Sequence, residues 1–270
     1  MQNSRNMKKL FYLAVLLLAL PAGLAAQGTL EPLETDFRTR TSLALDYAVA
    51  PGLDLEMKYE LRTQDNLSRI DRHQAGLALT YKFNDWLKGG VGYTFFYRQT
   101  SSAWEPRHRA DAHLTFSHRF GDWNLALREM LRLIHRADEF NRFQSVRNSL
   151  LLKSRLKLAY KGWYAFEPYA FVELRNTLND PSFSATWNPT KMAYSDYQFL
   201  GYRSVYVNRV RGSLGAEWSL SPRSALDLYV LVDYNRERDI DTNKDGTKLK
   251  SFTWRQSLVP ALGIGYIFSF

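Results

Sequence analysis

The side chains that could do chemistry in this chain are few and poorly spaced for it. The five histidines, His73, His108, His113, His118 and His135, form no HxxxH or HExxH arrangement that would put two imidazoles on one metal. A barrel-type phospholipase would need a serine and a histidine two residues apart on one strand face, as nucleophile and base. No His-x-Ser occurs. Ser117 and His118 are neighbours, which a strand points to opposite faces, and His113 with Thr115 shares a face but offers only a hindered hydroxyl. Glu167 and Glu173 are expected to partner arginines rather than to act as an acid/base pair. One segment has the alternation of oxygen side chains that wraps calcium, Asp239-x-Asp241-x-Asn243-x-Asp245 followed by Gly246. Counting from Asp241, the bidentate glutamate of an EF-hand would fall on Phe252. The segment therefore predicts at most a surface Ca2+ site, with a polar hairpin tip as the alternative.

Composition narrows the remaining classes. The 270 residues contain no cysteine, which excludes disulfides, thiol catalysis and Cys-ligated metals. A net charge of +9 comes from 36 basic and 27 acidic residues spread along the whole chain rather than gathered in a stripe, so nucleic acid is not an expected partner. No cofactor motif is present. Mean hydropathy is -0.37 with 14% aromatic residues, which argues against disorder and against a helical membrane bundle.

Residues 1–26 read as an address. Lys8 and Lys9 precede the apolar run Leu10 to Leu20, and Pro21-Ala-Gly-Leu-Ala-Ala26 supplies small residues for cleavage. The run is shorter than the ~20 residues a spanning helix needs. A cleaved secretory signal is expected, leaving 27–270 as one domain.

The rest is written in period two. From Leu53 to Arg62 the odd positions are Leu, Leu, Met, Tyr and Leu, and the even positions are Asp54, Glu56, Lys58, Glu60 and Arg62. The same alternation marks ten more segments, among them Trp123 to Leu133, Leu150 to Tyr160, Tyr206 to Leu220 and Phe252 to Phe270. Short links such as Pro51-Gly52 and Gly121-Asp122 alternate with long ones near Gln99–Glu105, His135–Ser145, Asn176–Tyr202 and Glu237–Lys250. An all-β fold follows: an antiparallel transmembrane β-barrel of the outer-membrane kind, with about 12 strands and a range of 10 to 12. Its interior carries Glu56, Lys58, Glu60, Arg62, Arg155, Arg209 and Arg211, with opposite signs expected side by side. Its apolar exterior suits lipid, and aromatics such as Trp86, Trp123, Trp163 and Trp218 gather near the short turns as an interfacial belt.

The closing residues Gly265, Tyr266, Phe268 and Phe270 look like the insertion signal by which outer-membrane barrels engage the barrel-assembly machinery. With Leu55-Glu-Met-Lys-Tyr-Glu-Leu-Arg62 and Pro106-Arg-His-Arg109, the chain from Asp36 to Phe270 resembles the bacterial outer-membrane family catalogued as domain of unknown function 2490. That resemblance implies a fold and a cell-outer-membrane location, and no reaction. An even strand number would require an upward strand before Phe37. Thr29 to Thr35 is the candidate, irregular or at an edge because of Pro32. The expected function is a non-enzymatic barrel serving as a passive pore, a small-ligand contact or a structural element; a lipid-modifying enzyme and a surface recognition barrel are the alternatives.

Overall fold

In a computed structural model of the protein, residues 28–100 and 103–270 are described; the signal sequence expected over 1–26 lies outside them. The strands are β1 (Thr29–Thr35), β2 (Arg38–Ala50), β3 (Leu53–Gln64), β4 (Arg69–Lys82), β5 (Leu87–Gln99) and β6 (Trp104–Phe120). They continue with β7 (Trp123–Arg136), β8 (Asn148–Tyr160), β9 (Phe166–Asn188), β10 (Ala193–Ser221), β11 (Ser224–Thr242) and β12 (Leu249–Ser269). From β2 to β12 each strand pairs antiparallel with its predecessor, and β12 returns to β2, so the sheet closes on itself.

Closure happens through a parallel seam. Ala261 to Ser269 of β12 runs beside Arg38 to Asp46 of β2 in the same direction. β1 lies parallel to β12 as well, from Thr29 opposite Thr253 to Thr35 opposite Leu258. β1 and β2 are therefore one bent strand laid along β12, with Asp36 N donating to Leu258 O at the bend. This corrects the expectation of an upward strand before Phe37. β1 runs the same way as β2, and the closed wall has an odd number of strands, which is why its two ends meet in parallel. Pro32 sits where the register shifts between Leu30 and Leu33, at an edge with no partner amide to miss.

Side chains sort by parity. Leu77, Val91, Leu114, Leu131, Val172, Leu214, Val230 and Leu262 all point out and are roughly half exposed. Glu60, Lys153, Glu173, Arg211 and Asp233 point in and are buried. That is the reverse of a water-soluble domain, where the ionic face looks outward.

The four last strands rise above the rest. β8 pairs with β9 only from Ala159–Tyr169 to Leu151–Thr177, and β10 with β11 only up to Arg209–Asn235. Beyond those points β9–β10 stands as a hairpin unpaired to its neighbours, and β11–β12 as one flanked only by β1 along Thr253–Leu258. The long links expected near Asn176–Tyr202 and Glu237–Lys250 are thus mostly strand. Five register shifts along β9–β10 explain the misreading, because each bulge flips the inward parity and breaks the period that marks a strand. Ile240, Leu249, Phe252 and Trp254 of one hairpin form a core, with Phe183, Tyr194, Tyr197 and Tyr206 of the other packed on it.

Glycine makes room inside the wall. A Cβ on Gly263 would lie 2.0 Å from Cζ of Tyr229, whose own Cβ stands 2.7 Å from the Cβ position of Gly215. The tyrosine ring therefore lies over β12, which accounts for a glycine at position 263. Replacing Gly263 with valine should cost roughly 1–3 kcal/mol by overpacking. The check is urea unfolding of the purified protein, read by circular dichroism, with Leu262→Val on the outer face as the control of near wild-type midpoint.

Candidate functional site in the charged barrel interior

The interior is divided by height. Near the short turns, acids stand directly opposite acids: Glu167 and Glu217 across β9–β10, Glu217 and Asp227 across β10–β11, Asp46 and Glu56 across β2–β3. Lys161 Nζ reaches Glu167 at 2.6 Å, Tyr169 donates to Asp227 at 2.7 Å, and Lys157 lies 3.9 Å over the Tyr169 ring. Further up, bases face bases, with Arg40 opposite Arg62, Arg128 opposite Arg155 and Arg175 opposite Arg209. The expected side-by-side alternation of signs therefore holds only in part. Like charges face one another at these pairings, while the middle row Arg155, Glu173, Arg211 and Asp233 alternates in sign.

Two buried carboxylates organise the middle. Glu173 receives Lys153 Nζ at 3.0 Å, Arg155 Nη2 at 2.6 Å and Arg209 Nη2 at 2.6 Å. Asp233 receives Arg211 Nε at 2.6 Å and Arg40 Nη2 at 3.1 Å, with Arg209 Nε 3.9 Å away. Glu60 pairs with Arg62 and accepts from Gln74 at 3.0 Å. Asp111 takes Arg132 at 2.6 Å. Glu56 and Lys58 lie lower on the same inner face, and Glu56 is exposed at the short-turn opening.

At the loop rim the hairpins and the β7–β8 loop meet. Asn141 Nδ2 donates to Thr242 Oγ1 at 3.1 Å, and Gln144 Nε2 donates to Asp241 Oδ1 at 2.8 Å. Phe143 packs edge-on to Phe199 and against Gly246, whose φ of +64° forms the tip turn. The β11–β12 tip thus reaches the β7–β8 loop past the intervening β9–β10 hairpin. Asp180, in the free part of β9, lies 3.6 Å from Arg238 and 3.3 Å from the Tyr206 hydroxyl. Burial pushes its carboxyl up to about 6 in spite of Arg238.

The calcium-like spacing does not assemble. Asp239 and Asp241 belong to β11, where Asp239 accepts from Arg255 at 2.5 Å and Asp241 is held by Gln144. The Asn243 side-chain oxygen accepts from the amides of Thr247 and Lys248 at 2.9 Å each, and Asp245 is exposed. Among the described residues no three His, Asp or Glu side chains come together as a metal would need. Strand alternation followed by an Asx turn produced the pattern.

At the end of the chain, Tyr266 and Phe270 point outward, Phe268 packs edge-on to Phe270 at 5.0 Å, and Phe270 reaches Tyr47 at 6.4 Å. Gly265 faces inward beside Ser42 and Asp227.

The sequence model of the family described as protein of unknown function, DUF2490, matches residues 37–244. The chain belongs to this family. It has no match among the curated proteins.

Two outward features of this DUF2490 barrel escaped the sequence reading. Tyr59 and His73, Tyr93 and His108, and His135 and Asn148 are hydrogen-bonded across strands at 2.7 Å each, a row visible only once the register is known. Glu129 stands on the outer face, accepts from Ser154 at 2.6 Å, and keeps Oε1 buried and unpartnered. Its signal was present as one acid on the apolar parity of Leu125, Leu127, Leu131 and Leu133.

Because the folded Asp180 holds its proton more tightly than the ordinary carboxyl at 3.8, it favours the hairpin core fully below about pH 4. That contribution is lost as the pH rises through about 6, an effect on the order of 3 kcal/mol. Asp180→Asn should flatten the fall in melting temperature between pH 4.5 and 7. Calorimetry of both forms checks this, and an unchanged slope would exclude Asp180 as the cause.

Proposed function

We propose that this protein is an outer-membrane β-barrel, without enzymatic activity, whose ionic interior contacts a small anionic solute, while the hairpins at the loop rim restrict passage. The observation that carries this reading is the inversion of the wall: leucines and valines half exposed outside, and Glu173 and Asp233 nearly dry within. Such a wall is stable where hydrocarbon surrounds it, because a closed ladder leaves no backbone group unpaired in lipid. Trp86, Phe120, Trp123, Trp163 and Trp218 near the short turns suit headgroup depth at one boundary, and the Tyr–His row suits the other. Outer-membrane lipid is then the constant partner. The barrel-assembly machinery would engage β12 through Tyr266, Phe268 and Phe270 before β1 and β2 cover its edge.

The excess of arginine in the middle of the wall favours anions over cations in any current the barrel carries. The packed hairpin core and the bridge from Thr242 to the β7–β8 loop stand against a wide open channel. In this orientation the short turns face the periplasm and the loop rim faces out, so the parallel seam places β1 at the outer surface.

The cysteine-free chain makes that topology testable. Leu33→Cys, 48% exposed on β1, should react with a membrane-impermeant maleimide in intact cells. Pro222→Cys in the β10–β11 turn should react only after the outer membrane is permeabilised. Labelling of both sites in intact cells, or of Pro222→Cys alone, would refute the orientation. In planar bilayers we expect small conductance with a reversal potential shifted toward the chloride potential; a large non-selective conductance would remove the restricted-passage reading.

A further inference from the structure

We infer that the buried basic cluster on β8–β11 and β2 is a binding site for a small, multiply charged oxyanion of the phosphate type. Five cationic side chains, Lys153, Arg155, Arg209, Arg211 and Arg40, converge on only two carboxylates, Glu173 and Asp233. All but Arg155 are less than 10% exposed. Local charge is therefore positive by about three in a place where an uncompensated ion is costly. Neighbouring Arg175 does not add to the excess, since it is held by Glu237 at 3.2 Å and Asn208 at 2.7 Å.

Donors remain unused in the same place. Arg209 gives Nη2 to Glu173, while its Nε is buried without a hydrogen-bond partner. Arg211 spends Nε and Nη2 on Asp233 and Arg40 spends Nη2, so each retains N–H groups. Lys153 reaches Glu173 with a single contact. Buried guanidinium donors are seldom left empty, and guanidinium forks match the oxygens of phosphate two at a time. Water could satisfy the donors but not the charge. A phosphate dianion does both, and the two fixed carboxylates hold the five bases in place before it arrives. A lone carboxylate ligand would neutralise less, which makes a multiply charged oxyanion the better fit.

This inference deepens the small-anion reading, yet it stands on the interior alone and does not depend on which membrane holds the barrel. The test uses the detergent-solubilised full-length chain at constant ionic strength. Titration with inorganic phosphate and with pyrophosphate, followed by calorimetry and by melting temperature against chloride, should give saturable binding and a shift of several degrees. Arg209→Gln should weaken binding at least tenfold, and Arg142→Gln, in the β7–β8 loop, should leave it unchanged. If Arg209→Gln does not fold, Lys153→Gln replaces it with the same expectation. No difference between phosphate and chloride, or equal binding by the cluster variant, would overturn the site. Cysteine labelling addresses the membrane reading separately, so the two failures cannot be confused.

Discussion

The parallel register between β12 and the bent β1–β2 strand is the contact that makes this sheet a barrel. A strand edge left open exposes a row of unpaired amides and carbonyls, and only closure removes both edges at once. With an odd number of strands in the wall, closure cannot be antiparallel, because the first and last strands point the same way. Parallel pairing is slightly weaker per residue. Here it is lengthened by running β1 beyond β2 along the same partner, and Glu31 accepts from the Thr253 hydroxyl with its carboxylate and from Gln256 Nε2 with its backbone carbonyl. The termini of the wall consequently lie at opposite rims.

Once the wall is closed, the interior becomes a confined space whose contents are dictated by register. Strand pairing puts Arg155, Glu173, Arg211 and Asp233 in one lateral row, so neighbours of opposite sign meet. The same pairing sets Glu217 between Glu167 and Asp227, so neighbours of like sign meet too. Like charges opposite one another destabilise a sheet. Near the short turns Tyr169, Lys157 and Lys161 relieve the acids. In the middle, two carboxylates serve five bases, which leaves an excess of positive charge there.

The hairpins at the loop rim follow a different logic from the wall. The wall keeps strict period two because each residue must choose between an apolar exterior and an ionic interior. Above it there is no such choice, and bulges along β9–β10 bend the hairpins so that aromatic residues bury one another. Asp180 and Arg238 are paired and partly buried at their base. The cap is thus a small water-excluding core of its own, tied to the β7–β8 loop through Asn141, Phe143 and Gln144.

Much of this was legible in the residues. Alternation in Leu53–Arg62 and its repeats determines an all-β wall, its inner and outer faces, and the inward placement of Glu60, Arg155, Arg209 and Arg211, since strand parity needs no knowledge of neighbours. Family membership was legible too, from segments spread over the chain. The direction of β1, the like-charge pairings of the acids near the short turns, the Tyr–His row and the failure of Asp239 to Asp245 to gather were decided only in three dimensions. Each depends on which residue of one strand lies opposite which residue of another. Register is set by the closure of the whole sheet, and a single strand carries no record of it.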